Sequence, residues 1–173
     1  MPLPLTDPRW AELRGSYGST DYVVALLDEA QVSGLSDERI GDLINEIQHQ
    51  GDTSTAMYAV AGHLISLARQ APPEKALMLL THAGLIHASS DQPKAISCPP
   101  FLQEEFTLTA REGAEMLSAL LPQAGDFATF KWAVAALAGF VGHRSFARFL
   151  DGLDFYEGKY YHALLDAPFP PEV

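Results

Sequence analysis

Ser36-Asp37-Glu38-Arg39-Ile40-Gly41-Asp42-Leu43-Ile44-Asn45-Glu46-Ile47-Gln48-His49, running on into Gln50-Gly51-Asp52-Thr53, decides the fold class of this chain. Ile40, Leu43, Ile44 and Ile47 recur at i, i+3, i+4, i+7, the signature of one apolar helix face. Asp42, Asn45 and Glu46 take the opposite face. Ser36 is suited to cap the N-terminus, and Asp37 and Glu38 complement the helix dipole in the first turn. His49 is then expected in the last turn, and Gly51 just past the helix end. Asp52 or Thr53 is expected to cap a second helix, whose Met57, Val60, Ala61, Leu64 and Ala68 form another stripe. Two helices joined by a turn this short make an antiparallel hairpin.

The same punctuation extends outward. The stretches 9–71 and 123–167 contain none of the twelve prolines. Helices are expected near 8–14 and 21–30, although Val23-Val24 has some strand character. Pro72-Pro73 opens a helix to about Ala88 with Ala76, Leu80, Ala83 and His87 inward. Residues 89–100 form the one long loop. A helix over about 101–121 turns Leu102, Phe106, Thr109, Ala110, Gly113, Leu117 and Leu121 inward. Another, from Asp126 to about Val141, is apolar nearly all round, so a central, fully buried position is expected, with Gly142 as its stop. Shorter helices are expected at 144–152 and 155–166, the aromatic set Phe155, Tyr156, Tyr160 and Tyr161 sealing the last of them. Glycines at 41, 62, 84, 113 and 139 are placed to let helices approach closely. The fold class is therefore all-α. One domain over 1–173, built of stacked antiparallel hairpins in about 8–9 helices, is flanked by short Pro-rich extended ends (1–7 and 168–173). Tyr58-Ala59-Val60-Ala61 and Trp132-Ala133-Val134-Ala135 stand 74 residues apart, two units close to a HEAT-type period of ~40.

Charge narrows the partners. The chain holds 22 acids against 11 bases, a net charge of -11 over 173 residues. The balance is even along it, with 11 acids and five bases up to residue 86 and 11 acids and six bases beyond. Nucleic-acid affinity rests on Lys and Arg neutralising phosphates, so no nucleic acid is expected as partner. The same reasoning disfavours an anionic membrane surface. No signal-peptide pattern and no apolar run of spanning length is evident, so a cytoplasmic location is expected. A basic protein is the partner such a surface suits.

Candidate chemistry is sparse. His49, Gln50 and Asp52 place a histidine and a carboxylate on one turn, although helix ending and capping explain the same residues. His63, His82 and His87 invite a metal reading, but His82 and His87 are five apart and fall on different faces. No Cys pair or His-Glu-x-x-His pattern exists, so no metal and no cofactor is expected. Arg144 and Arg148, one helical turn apart, could grip an anion or pair with Asp151 and Asp154. Cys98 is read as a small buried hydrophobe. No catalytic constellation is expected: neither a nucleophile elbow nor a phosphate loop is present.

His49-Gln50-Gly51-Asp52-Thr53-Ser54-Thr55-Ala56-Met57-Tyr58-Ala59-Val60-Ala61-Gly62-His63-Leu64 resembles a motif of HEAT-like α-helical repeat proteins, a largely uncharacterised bacterial group. Trp10-Ala11-Glu12-Leu13, Tyr17-Gly18-Ser19 and Val23 to Leu27 are similar to the start of those proteins, so the likeness covers roughly the first seventy residues. Gly62 stands where proline is expected, and Ser54-Thr55 replaces a more hydrophobic pair. The resemblance implies an α-α superhelix and carries over no catalytic residue. Repeats of this kind build extended surfaces from side chains, so a non-enzymatic protein-interaction module is expected, with an immunity or inhibitor type as its concrete form from small size, acidity and the resemblance. His49, Gln50, Asp52, His63, Arg144 and Arg148 are the candidate binding residues read from the sequence itself. A small enzyme on a helical scaffold, or a small-molecule-binding protein, is the alternative. Oligomeric state is not legible.

Overall fold

The computed structural model describes residues 1–34, 36–49, 52–90 and 95–152, with Asp151 and Gly152 described by backbone alone. A 3-10 turn, Pro8–Glu12, precedes α1 (Asp21–Ser33) and α2 (Asp37–Ile47). A small hairpin of β1 (Gln48–His49) and β2 (Asp52–Thr53) leads to α3 (Ala56–Ala68) and α4 (Pro73–Ser89). After a 3-10 turn at Pro100–Leu102 come α5 (Gln103–Leu120), another such turn at Leu121–Gln123, α6 (Phe127–Phe140) and α7 (Arg144–Gly152). The fold is all-α, with seven α-helices among the described residues. The expected helix at 155–166, the aromatic set within it, the Pro-rich tail, and the pairing of Arg144 and Arg148 with Asp151 and Asp154 lie outside them.

Local chemistry sets the helix ends. The Ser36 hydroxyl accepts from the Arg39 amide at 3.3 Å. Asp126 accepts from both the amide and the hydroxyl of Thr129, at 2.9 and 2.7 Å, and so fixes the start of α6. Pro73 opens α4, where its missing N–H costs nothing. Gly142, at φ +86°, ends α6 in the left-handed region. Val23 and Val24 lie inside α1, Val23 wholly buried, because the apolar face of a helix outweighs the strand preference of two residues.

The centre differs from expectation. α3, rather than α6, is enclosed on every side, with Ala56 through Leu64 all buried. α4 lies against α3, α5, α6 and α7. α6 packs on α4 with its alanine face but leaves Phe127, Phe130 and the following Val141 exposed. What encloses α3 is in part the chain's own start. Residues 1–7 were expected to be extended, but Leu5-Thr6 form a turn, the Asp7 amide donating to the Pro4 carbonyl at 2.9 Å, and the segment packs down: Leu3 is buried, and its carbonyl accepts from Nε2 of His63 at 2.9 Å. The Trp10 indole N–H donates to the Pro4 carbonyl at 3.0 Å, and Arg9 sits over the Phe101 ring.

The turn after α2 also departs from expectation. His49 is not in the helix, and Asp52 does not cap α3; the two face each other across the β1–β2 ladder. The physical reason lies in the carbonyls at the end of α2. The Glu46 carbonyl accepts from the Ser16 amide at 2.6 Å, and the Ile47 carbonyl from the Ser54 amide at 3.2 Å. These tertiary donors satisfy groups that a glycine-based cap would otherwise satisfy. The backbone of Gln48 is then free to turn extended, at φ -142° and ψ 112°.

Candidate functional site

The residues singled out in the sequence fall in separate neighbourhoods. His49 is half-buried, with Nδ1 at 2.8 Å from the Tyr17 hydroxyl and 2.9 Å from the Asn45 amide oxygen. The Asn45 amide closes the ring of three by donating to Tyr17 at 3.1 Å. Asp52 is exposed on β2, and Gln50 lies outside the described residues. His63 is 3% exposed at the floor of a depression of about 630 Å³ between the end of α1 and α3, lined by polar side chains including Gln31, Ser66 and Gln70. Burial pushes the His63 pKa below its usual value, partly opposed by the bond to Leu3. Arg148 donates to the Ala88 carbonyl and to Ser145, at 3.4 and 3.3 Å, which docks α7 on the end of α4.

The other candidates are packing groups. His87 stacks on Phe106 with ring centroids 3.8 Å apart, and its Nε2 donates to Thr109 at 3.2 Å. Burial, with the nearby Arg144 charge, holds its pKa down at about 3, so it is neutral at pH 7. Cys98 is half-buried, and burial raises its thiol pKa to about 11, which removes thiolate reactivity at neutral pH. Among the described residues no three His, Cys, Asp or Glu side chains gather as a metal site, and no helix is long and apolar enough to cross a membrane.

A larger concave feature than the one at His63 lies elsewhere. A groove of about 1260 Å³ runs along the outer face of α4, walled by α2 on one side and by the 123–126 turn with the start of α6 on the other. Its floor is apolar: Ile44 from α2, Leu77, Met78 and Leu85 from α4, and Trp132 from α6. Leu77 is fully buried and the other four are half-buried. The rim is acidic, with Asp37 on the α2 wall, Glu74 at the start of α4 and Asp126 on the α6 wall. Lys75 is the rim's single cation, and its ammonium is held by Asp37 at 2.7 Å. His82 also faces the groove, and burial followed by the Lys75 charge lowers its pKa, so it adds no positive charge at neutral pH. Three carboxylates therefore stand against one ammonium on the rim, over an apolar floor whose Trp132 ring carries the Lys131 ammonium 4.1 Å from its centroid.

The sequence held one sign of this groove. Leu77, Met78 and Leu85 fall off the inward stripe of α4, which leaves that helix with more apolar residues than its core face needs. Trp132 belongs to a helix expected to be buried all round, so its position on a groove wall was not legible. No protein-family model matches the chain, and neither a curated protein nor a solved structure is significantly similar to it.

Proposed function

We propose that this protein is a non-enzymatic interaction module that receives a basic segment of another protein in the α4 groove. The observation that carries the reading is the acidic rim set over an apolar floor. An apolar groove with charges at its edge lets burial supply affinity while the rim selects the sign of the partner. The net charge of -11 adds a long-range attraction for a cationic protein. A HEAT-like relationship, an immunity or inhibitor role and a cytoplasmic location are the concrete form of this proposal, resting on the sequence resemblance and on the acidic character. Nucleic acid fits poorly, since carboxylates flank the groove.

A comparison of two variants in extract from the source cell tests it. Glu74→Gln with Asp126→Asn neutralises the rim, and asparagine keeps the cap on α6. Glu104→Gln with Glu115→Gln removes the same charge from exposed positions on α5. With the parent protein immobilised, a basic partner should be retained by the parent and by the α5 variant and lost from the rim variant. Retention by all three alike, or by none, would overturn the reading.

A further inference from the structure

We infer that the segment received by the groove is an amphipathic α-helix of about three turns, apolar on one face and carrying Lys or Arg at its edges. This rests on the interaction reading above and names the conformation of the partner.

Length comes first. The α4 residues facing the groove run from Glu74 through Lys75, Leu77, Met78, Thr81 and His82 to Leu85. At ~1.5 Å per residue that face is about 16 Å long, or about three helical turns. Volume decides what fills it. A helix ~16 Å long and ~10 Å across occupies roughly 1300 Å³, matching the groove's 1260 Å³. An extended strand of the same length carries only about five residues, and so roughly half that volume. A drug-sized ligand site typically runs to about 300–1000 Å³, so a lone small molecule would leave much of the apolar floor wet.

Chemistry agrees with shape. Met78 sits mid-floor between Leu77, Leu85 and Trp132, and an unbranched thioether adapts to the ridged surface of a docked helix. Acidic groups stand on both walls of the groove, Asp37 at the start of α2 and Asp126 at the start of α6, with Glu74 at the start of α4. A helix whose apolar residues recur at i, i+3, i+4 and i+7 would put a cationic edge within reach of each wall. A period-2 strand would turn half of its apolar residues away from the floor. The backbone of a helix is satisfied internally, which suits a floor made of side chains from helices.

Two 14-residue leucine–lysine peptides of identical composition test this. One has leucines at helical spacing and the other has strict alternation. Binding is measured by titration of the full chain and located by amide chemical shifts. The helix-period peptide should bind at least about tenfold more tightly, with shifts along α4 and at Trp132. The Glu74→Gln/Asp126→Asn variant should weaken that binding about tenfold, and Glu104→Gln/Glu115→Gln less than about threefold. Trp132→Ala, checked for an unchanged circular dichroism spectrum and melting transition, should weaken it without reducing charge. Equal binding of the two peptides, binding of neither, or shifts away from the groove would overturn the inference. Retention of a partner by the parent protein and its loss from the rim variant in extract would leave the broader reading standing in each of those cases.

Discussion

The α4–α6 contact and the α1–α2 pair hold helices together by opposite means. Gly84 and Gly139 face one another across α4–α6: a methyl built on Gly84 would lie 2.5 Å from the Ala136 carbonyl oxygen, and one on Gly139 would strike the Gly84 carbonyl. The contact is backbone against backbone, filled in by Ala133 and Ala136. α1 and α2 instead meet through large buried side chains, including Leu26, Leu27, Ile40 and Leu43. Arg39 bridges their outer edge, reaching Glu29 at 2.7 Å, Asp42 at 3.2 Å and the Tyr22 hydroxyl at 2.9 Å. Gly41 in α2 meets nothing within 4 Å. A helical glycine therefore means close approach in one region and a simple loss of helix propensity in the other.

Substitutions that add volume should separate the two regions most sharply. Gly84→Val should cost at least about 3 kcal/mol, or abolish a cooperative urea transition, because the obstruction is backbone that cannot step aside. A cost under about 1 kcal/mol would show that α4 and α6 can slide apart, and would break the comparison.

Acid should act next, through the α4–α6 side. The His87 pKa lies at about 3, below the ~6.5 of the unfolded chain. The unfolded state therefore binds the proton first as pH falls. Stability conferred by keeping His87 neutral is fully present above about pH 6.5 and is lost toward pH 3, at up to about 1.4 kcal/mol per pH unit. Denaturation at pH 7, 6, 5 and 4 should show that slope in the parent, and a shallower one in His87→Gln, which cannot take up the proton. Equal slopes would place the acid sensitivity elsewhere.

The α1–α2 side should respond weakly and with the opposite sign. Gly41→Ala should stabilise by about 0.5–1 kcal/mol, since it removes backbone freedom from the unfolded chain and meets open space. A loss of stability there would mean that α2 is tighter than its surroundings show. Smallest of all, Arg39→Met should leave the urea midpoint nearly unmoved, because the bridge is solvent-exposed and mainly fixes geometry. High salt should erase most of even that difference.

What the sequence made legible follows the same division. The helices were readable to within a few residues because stripes such as Ile40, Leu43 and Ile47, and caps such as Ser36 and Asp126, are local signals. Gly84, Gly113 and Gly139 were correctly placed at close approaches. Gly41 was not, because glycine alone does not say whether a neighbour is near. The β1–β2 hairpin was missed because its cause is tertiary, with Ser16 and Ser54 donating to the last carbonyls of α2. Tyr58 and Trp132 begin similar tetrapeptides but have different surroundings: Tyr58 is buried, its hydroxyl donating to the Ile96 carbonyl at 2.6 Å, whereas Trp132 lines the groove. The groove was illegible for a related reason. Its lining comes from α2, β1, α4, the 123–126 turn and α6, and only the surplus apolar residues on α4 announced it.

The most direct measurement is an amide chemical-shift map of the protein titrated with the helix-period leucine–lysine peptide. The account predicts a continuous strip of shifts over Ile44, Gln48, Leu77 to Leu85 and Gly125 to Trp132, weakened by Glu74→Gln with Asp126→Asn. The rival apolar surface is the exposed pair Phe146 and Phe149 on α7. Shifts centred there, with the α4 strip unmoved, would contradict the account.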